Sequence, residues 1–145
     1  MTTYAMIKET GRLLSWLREW DVQTYRHSLR TAGYAFRIAS LMRMKWLDRK
    51  DLLIAAMLHD IGKRAIPKQL LRKSGKLTNE EYELIRKHTE IGFDILKTHG
   101  FPDEICNAVR DHHEQPDGNG YRKCVHPARL ANIIHVADCL DVMIS

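Results

Sequence analysis

Cysteine is scarce and unpatterned in this chain. Three cysteines among 145 residues, Cys106, Cys124 and Cys139, are an odd number with no CxxC spacing, so neither a disulfide framework nor a thiolate zinc site is indicated. Long apolar runs are missing as well. The longest, Leu52 to Leu58, falls far short of the roughly 20 residues a membrane span needs. The first residues, MTTYAMIKET, lack the basic-then-apolar layout of a secretory signal. No repeat or low-complexity segment occurs, and no block of like charge is long enough to serve as a nucleic-acid arm. Alternating apolar and polar positions rich in β-branched residues are absent too, which excludes a sheet. These absences point to a chain of the reducing cytoplasm, without a membrane or a direct nucleic-acid partner.

What is present is ordinary for a globular protein: 44% hydrophobic and 28% charged residues, enough to bury a core without staples. The net charge of +5 fits an anionic partner or substrate, and equally a solvated basic surface. The fold class expected is all-α, with about six helices. The first runs from Thr3 to Trp20. Asp21 can cap a second that continues to about Trp46, and Asp48 a third from Arg49 to Ile61, ended by Gly62. After a short turn at Pro67 to Leu71, Thr78 and Glu81 form a capping box opening a fourth helix, closed by Gly100. Pro102 and Pro127 stand in the first turns of the fifth and sixth. The one long irregular stretch is QPDGNGYRKCVH. Residues 1–20 read as a linker or packing helix and 21–145 as the main domain.

The eight histidines are informative by position, because each residue advances about 100° around a helix. In the fourth helix, Glu83, Arg86, Lys87, Glu90, Asp94 and Lys97 gather on one face, and His88 falls amid the apolar residues opposite. His112 and His113 bracket the buried line of the fifth helix. The almost wholly apolar third helix ends in His59-Asp60, Asp138 lies among apolar residues of the sixth, and His27 turns from the polar stripe of the second. A single buried histidine is usually a hydrogen-bonded core residue. Seven such groups from five helices would need seven separate polar partners, which the apolar faces do not offer. One or two divalent cations would satisfy them together. Five imidazoles and two carboxylates without thiolate suit Fe, Mn, Co, Ni or Zn better than Mg or Ca, and exceed the four ligands of a closed zinc site. Two carboxylate-bridged metals are therefore favoured. Such a centre binds a phosphate oxygen and supplies a hydroxide nucleophile, the chemistry of phosphoester hydrolysis. For His99, contact with helix-end carbonyls is expected; His126 and His135 are assigned no role.

The order and spacing of RHSLRTA at His27, HDIGK at His59, HTEIGFDIL at His88, HHE at His112, DGNGY at Asp117 and VADCLDVMIS around Asp138 resemble the HD-GYP family of the HD phosphohydrolases, from about Tyr25 onward. The resemblance implies an HD-type helical bundle in which Asp60 bridges two metals. His27, His59 and Asp138 would complete one side, and His88, His112 and His113 the other. It further implies iron or manganese, a catalytic pairing of Asp60 with Lys63 at the substrate phosphate, and Gly120 and Tyr121 on the substrate side. The implied activity is hydrolysis of cyclic di-GMP. The family's GYP tripeptide reads Gly120-Tyr121-Arg122 here. Gln23 stands where members with a third metal carry glutamate, so two metals are expected. The family continues beyond VMIS into basic and aromatic substrate-binding residues, whereas this chain stops at Ser145. Competing readings are a phosphatase for another nucleotide with the same metals, and a catalytically weak signalling or interaction module acting through a protein partner. In the latter, Trp16 and Trp20 of the first helix would serve a homodimer or a linker.

Overall fold

In the computed structural model, which describes residues 1–115, 117–123 and 126–145, every regular element is helical. Eight α-helices follow one another: α1 (Thr3–Trp20), α2 (Val22–Leu41), α3 (Trp46–Leu58), α4 (Lys68–Leu71), α5 (Asn79–Arg86), α6 (His88–Thr98), α7 (Asp103–Asp111) and α8 (Arg129–Ile144). A 3-10 segment, Ile61–Ala65, links α3 to α4. Pro116, Cys124 and Val125, in the irregular stretch before α8, lie outside the described residues. The all-α expectation holds, with more and shorter pieces than the sequence indicated.

Helix α3 is the axis. Leu52, Ala55, Ala56 and Leu58 are wholly buried, because α3 packs against α1, α2, α7 and α8 at once. An apolar surface on every side of the helix is what such a central place requires. Helix α6 lies against α7 and the 3-10 segment, completing the ring around the C-terminal end of α3. Helix α1 buries Met6, Leu13 and Leu17, and Arg64 of the 3-10 segment donates to the Trp16 carbonyl at 2.7 Å while lying over its ring.

Several boundaries differ from the sequence reading for identifiable reasons. Helix α2 stops at Leu41, not near Trp46, in a Schellman closure. The Met44 N–H reaches the Ala39 carbonyl, the Arg43 N–H reaches that of Ser40, and Arg43 takes the left-handed φ of 55°. Glycine usually fills that position, so an arginine there gave no signal. Lys45, not Asp48, precedes the first turn of α3; Asp48 sits within that turn and pairs with Arg129 at 3.0 Å. The expected fourth helix is two, α5 and α6, parted at Lys87, whose N–H turns to the carbonyls of Leu84 and Ile85. The Thr78–Glu81 capping box is present. Pro102 is the cap preceding α7, and Pro127 lies outside α8, which Ala128 precedes.

Gly62 does not end α3, which stops at Leu58. Its role is close approach. A Cβ at Gly62 would stand 1.9 Å from the His88 carbonyl oxygen and 2.7 Å from the Gly92 nitrogen. The glycine is thus what lets the segment after His59-Asp60 lie directly on the start of α6, bringing His88 to the same site.

Candidate metal centre

The bundle brings all seven expected ligands into one cluster. Three groups have ligand atoms within 4.8 Å of one another: His27, His59 and Asp138; His59, Asp60 and His112; His88, His112 and His113. Asp60 stands between them. Its Oδ2 faces His27 Nε2 at 3.5 Å and His59 Nε2 at 3.3 Å, while its Oδ1 faces His88 Nε2 at 3.4 Å and His112 Nε2 at 3.9 Å. Asp138 Oδ1 lies 2.9 Å from His27 Nε2.

Local helical geometry sets which nitrogen of each ring points inward. His59, His88 and His112 each place Nδ1 2.6–2.7 Å from the carbonyl three residues earlier, of Ala56, Ile85 and Val109. A carbonyl can only accept, so Nδ1 carries the proton and a neutral ring leaves a lone pair on Nε2. Those three Nε2 atoms and Asp60 Oδ1 are buried and have no hydrogen-bond partner. Buried polar atoms are rarely left so, and four of them converging from α3, α6 and α7 fit a positive ion with lone-pair acceptor sites. His27 is fixed by a carboxylate instead, Nδ1 lying 2.7 Å from Asp141 Oδ2, with Arg30 Nε 2.7 Å from the other oxygen. A second carboxylate that orients a histidine in this way is a common companion of metal ligands.

The electrostatics follow from the same placement. Burial would lower the His59 pKa, but the Asp60 and Asp138 carboxylates carry it up to about 10. Burial would raise Asp60, yet His59 and Lys63 hold it well below the usual carboxylate range. Asp138 is likewise held low, against burial, by His27 and His59. On the other side of Asp60, burial and the neighbouring His88 push His113 down to about 3, and burial with His113 pushes His112 well below an ordinary histidine, against the pull of Asp60. One side of the cluster thus retains protons beside carboxylates, and the other consists of neutral imidazoles. Divalent cations suit both, since they replace the protons on the first and meet bare nitrogens on the second.

Around the cluster, Lys63 places Nζ 3.0 Å from Asp60 Oδ2 and lines a cleft of about 450 Å³ with His27, Asp60, His113 and Asp138. Gln23 borders the same cleft. The Tyr121 ring stacks on His113, centroids 4.4 Å apart and planes 21° from parallel. Gly120 is needed by close approach: a Cβ there would stand 2.4 Å from Glu114 Cα and 2.6 Å from the His113 carbonyl oxygen. Arg122 clamps the turn. Its N–H donates to Glu114 Oε1 at 2.6 Å, its guanidinium meets Glu90 at 3.2 Å, and it also pairs with buried Asp111.

Sequence reasoning missed Asp141, Asp111 and Glu114, all buried. Asp141 had a legible signal: it follows Asp138 by three residues, on the same face of an otherwise apolar helix. Asp111 and Glu114 follow no apolar periodicity that would mark them as buried; Asp111 accepts from the Ala128 N–H at 2.9 Å and ties the irregular stretch to the bundle. His99 caps α6 as expected, its backbone N–H donating to the Ile95 carbonyl at 3.0 Å, while its side chain pairs with Glu9 at 2.7 Å. His135 places Nδ1 3.0 Å from the His112 carbonyl.

The family model described as HD domain matches residues 24–143. The chain belongs to the HD domain family. Over 143 residues this HD domain is 38% identical to a cyclic di-GMP phosphodiesterase of Thermotoga maritima, covering 94% of this chain and 39% of that protein. It is 36% identical over 131 residues to the 3'3'-cGAMP-specific phosphodiesterase 2 of Vibrio cholerae, covering 83% and 24%. Among solved structures it resembles Bd1817, a HDG"Y"P protein from Bdellovibrio bacteriovorus, with a TM-score of 0.72 at 21% identity, covering 83% and 41%. The resemblance to the HD-GYP branch drawn from the motifs is borne out. The chain spans well under half the length of these relatives.

Proposed function

We propose that this HD domain is a dinuclear metal-dependent phosphodiesterase acting on a cyclic dinucleotide. The observation that carries the reading is the set of four buried atoms without a hydrogen-bond partner, His59 Nε2, His88 Nε2, His112 Nε2 and Asp60 Oδ1, gathered about Asp60, which lines an open cleft. His27, His59 and Asp138 would hold one ion, His88, His112 and His113 the other, and Asp60, with one oxygen toward each set, would serve both. The mixed imidazole and carboxylate set accommodates iron, manganese, cobalt, nickel or zinc, and the resemblance to the HD-GYP family favours iron or manganese. When bound, such ions supply Lewis acidity at a phosphoryl oxygen and lower the pKa of water enough to make a nucleophile near neutral pH.

The remaining work falls to the chain's own residues. The Lys63 ammonium, at the cleft wall beside Asp60, is placed to meet a non-bridging phosphate oxygen and the charge that grows on it. Asp141 holds the His27 ring in one orientation. Tyr121, stacked on His113, offers a flat face and a hydroxyl at the other flank, with Gly120 allowing that turn to lie against His113–Gln115. Helix α1 belongs to the working unit as a packing helix, as its buried Met6, Leu13 and Leu17 support. The cyclic dinucleotide assignment draws on the Thermotoga and Vibrio relatives, named for two different members of that class.

The test is anaerobic reconstitution with Fe(II) or Mn(II), followed by chromatography of the products from cyclic di-GMP and 3'3'-cGAMP. Linear dinucleotide or mononucleotide is the expected product. No product from either, with metal still bound, would overturn the phosphodiesterase reading and leave a metal-holding module.

A further inference from the structure

The cleft above the His/Asp cluster reaches beyond the expected ligands and Lys63. Its far wall is built from Trp20, the last residue of α1, together with Lys68 and Arg72 of the α4 region. Trp20 precedes the segment matched by the family, residues 24–143. The Lys68 ammonium lies over the Trp20 ring, 5.4 Å from its centroid, and among the described residues it makes no ion pair. Arg72 is held at the same wall by Asp21, its guanidinium nitrogen 2.6 Å from Asp21 Oδ1. Asp21 in turn is anchored by the Thr24 hydroxyl at 2.6 Å, at the start of the helix that carries His27. A half-buried indole and two exposed cations therefore share one open volume with His27, Asp60, Lys63 and Asp138.

A cyclic dinucleotide carries two phosphates and two bases. When one phosphate lies at the metal cluster, the second must lie elsewhere in the same cleft, with a base beside it. Resting on the reading above, we infer that Trp20 and Lys68, supported by Arg72, form a subsite for the distal half of the substrate. Lys68, with no carboxylate partner, receives the second phosphate, and the indole stacks with a base. Stacking on an aromatic ring tolerates any base, so this wall selects for a dinucleotide over a mononucleotide without selecting guanine over adenine. Arg72, already neutralised by Asp21, shapes the wall and adds a weaker attraction.

The test is equilibrium binding to the Mn(II)-loaded protein at low temperature, by calorimetry, with cyclic di-GMP and GMP as probes. Lys68→Glu should weaken cyclic di-GMP roughly tenfold or more while lowering GMP affinity far less, and Trp20→Ala should act in the same direction. Because Trp20 also packs on the core, Trp20→Ala is compared with Lys68→Glu, whose exposed side chain leaves the fold intact. Equal weakening of both probes by Lys68→Glu, or no weakening, would overturn the subsite. Failure of the metal-loaded wild type to bind cyclic di-GMP more tightly than GMP would instead remove the substrate reading, and this inference with it.

Discussion

His113 and His59 both lie against His112, and their pKa values are shifted in opposite directions. His113 remains neutral in the fold until about pH 3, against an ordinary 6.5. Below pH 6.5 the unfolded chain takes up a proton that the folded chain refuses, so the metal-free protein loses stability as the pH falls toward 3. His59, carried up to about 10, contributes stability that is complete below pH 6.5 and is lost as the pH rises through 10. Urea unfolding of the metal-free protein across this range should show both limbs, with His113→Gln flattening the acid limb and His59→Gln the alkaline one. A profile unchanged by either substitution would contradict the assigned environments. Asp141 makes a further case: Asp141→Asn keeps the shape but weakens the hold on His27, and a loss of roughly 10- to 100-fold in metal affinity is expected. Unchanged affinity in a metal titration would show that Asp141 only stabilises α8. At this scale the sequence was eloquent wherever a polar residue lay in an apolar helical face, as for His88 and Asp138. It was silent where a carboxylate on an apparently solvated face, such as Asp111, is buried by a loop whose path no periodicity reveals.

Two elements depend on backbone approach. Gly62 lies so close to α6 that Gly62→Ala must push the 3-10 segment off His88, with a cost of about 3 kcal/mol or more and a clear fall in melting temperature. A melting temperature within a degree of wild type would contradict the packing. The turn at Gly120–Arg122 makes a less intuitive case. Replacing Arg122 by the proline of the family tripeptide removes the N–H that donates to Glu114 and the guanidinium that pairs with Asp111 and Glu90. Arg122→Pro is therefore expected to lower both thermal stability and turnover, and an increase in turnover would contradict the clamp. The element boundaries were legible where a side chain announces them, as at the Thr78–Glu81 capping box. They were hidden where the backbone alone decides: the left-handed Arg43 that closes α2, the break at Lys87, and the 3-10 geometry that lets HDIGK fold back onto α6.

The whole molecule places five helices around one end of α3, so that residues separated by more than 100 positions meet: His27 lies against Asp138 and Asp60 together. Helical periodicity could show that these residues face inward. That they converge, and that Asp60 divides them with one oxygen to each side, is a property of the packing. No helix among the described residues is long and apolar enough to cross a membrane. The central claim is that this convergence exists to hold two divalent ions, with Asp60 shared between them. Metal analysis after anaerobic loading with Mn(II) or Fe(II) and removal of excess ion tests it most directly. About two ions per chain are expected for the wild type, and loss of both on Asp60→Asn with the helical circular dichroism spectrum retained. A wild type that retains no metal, or an Asp60→Asn variant that retains the full complement, would contradict it.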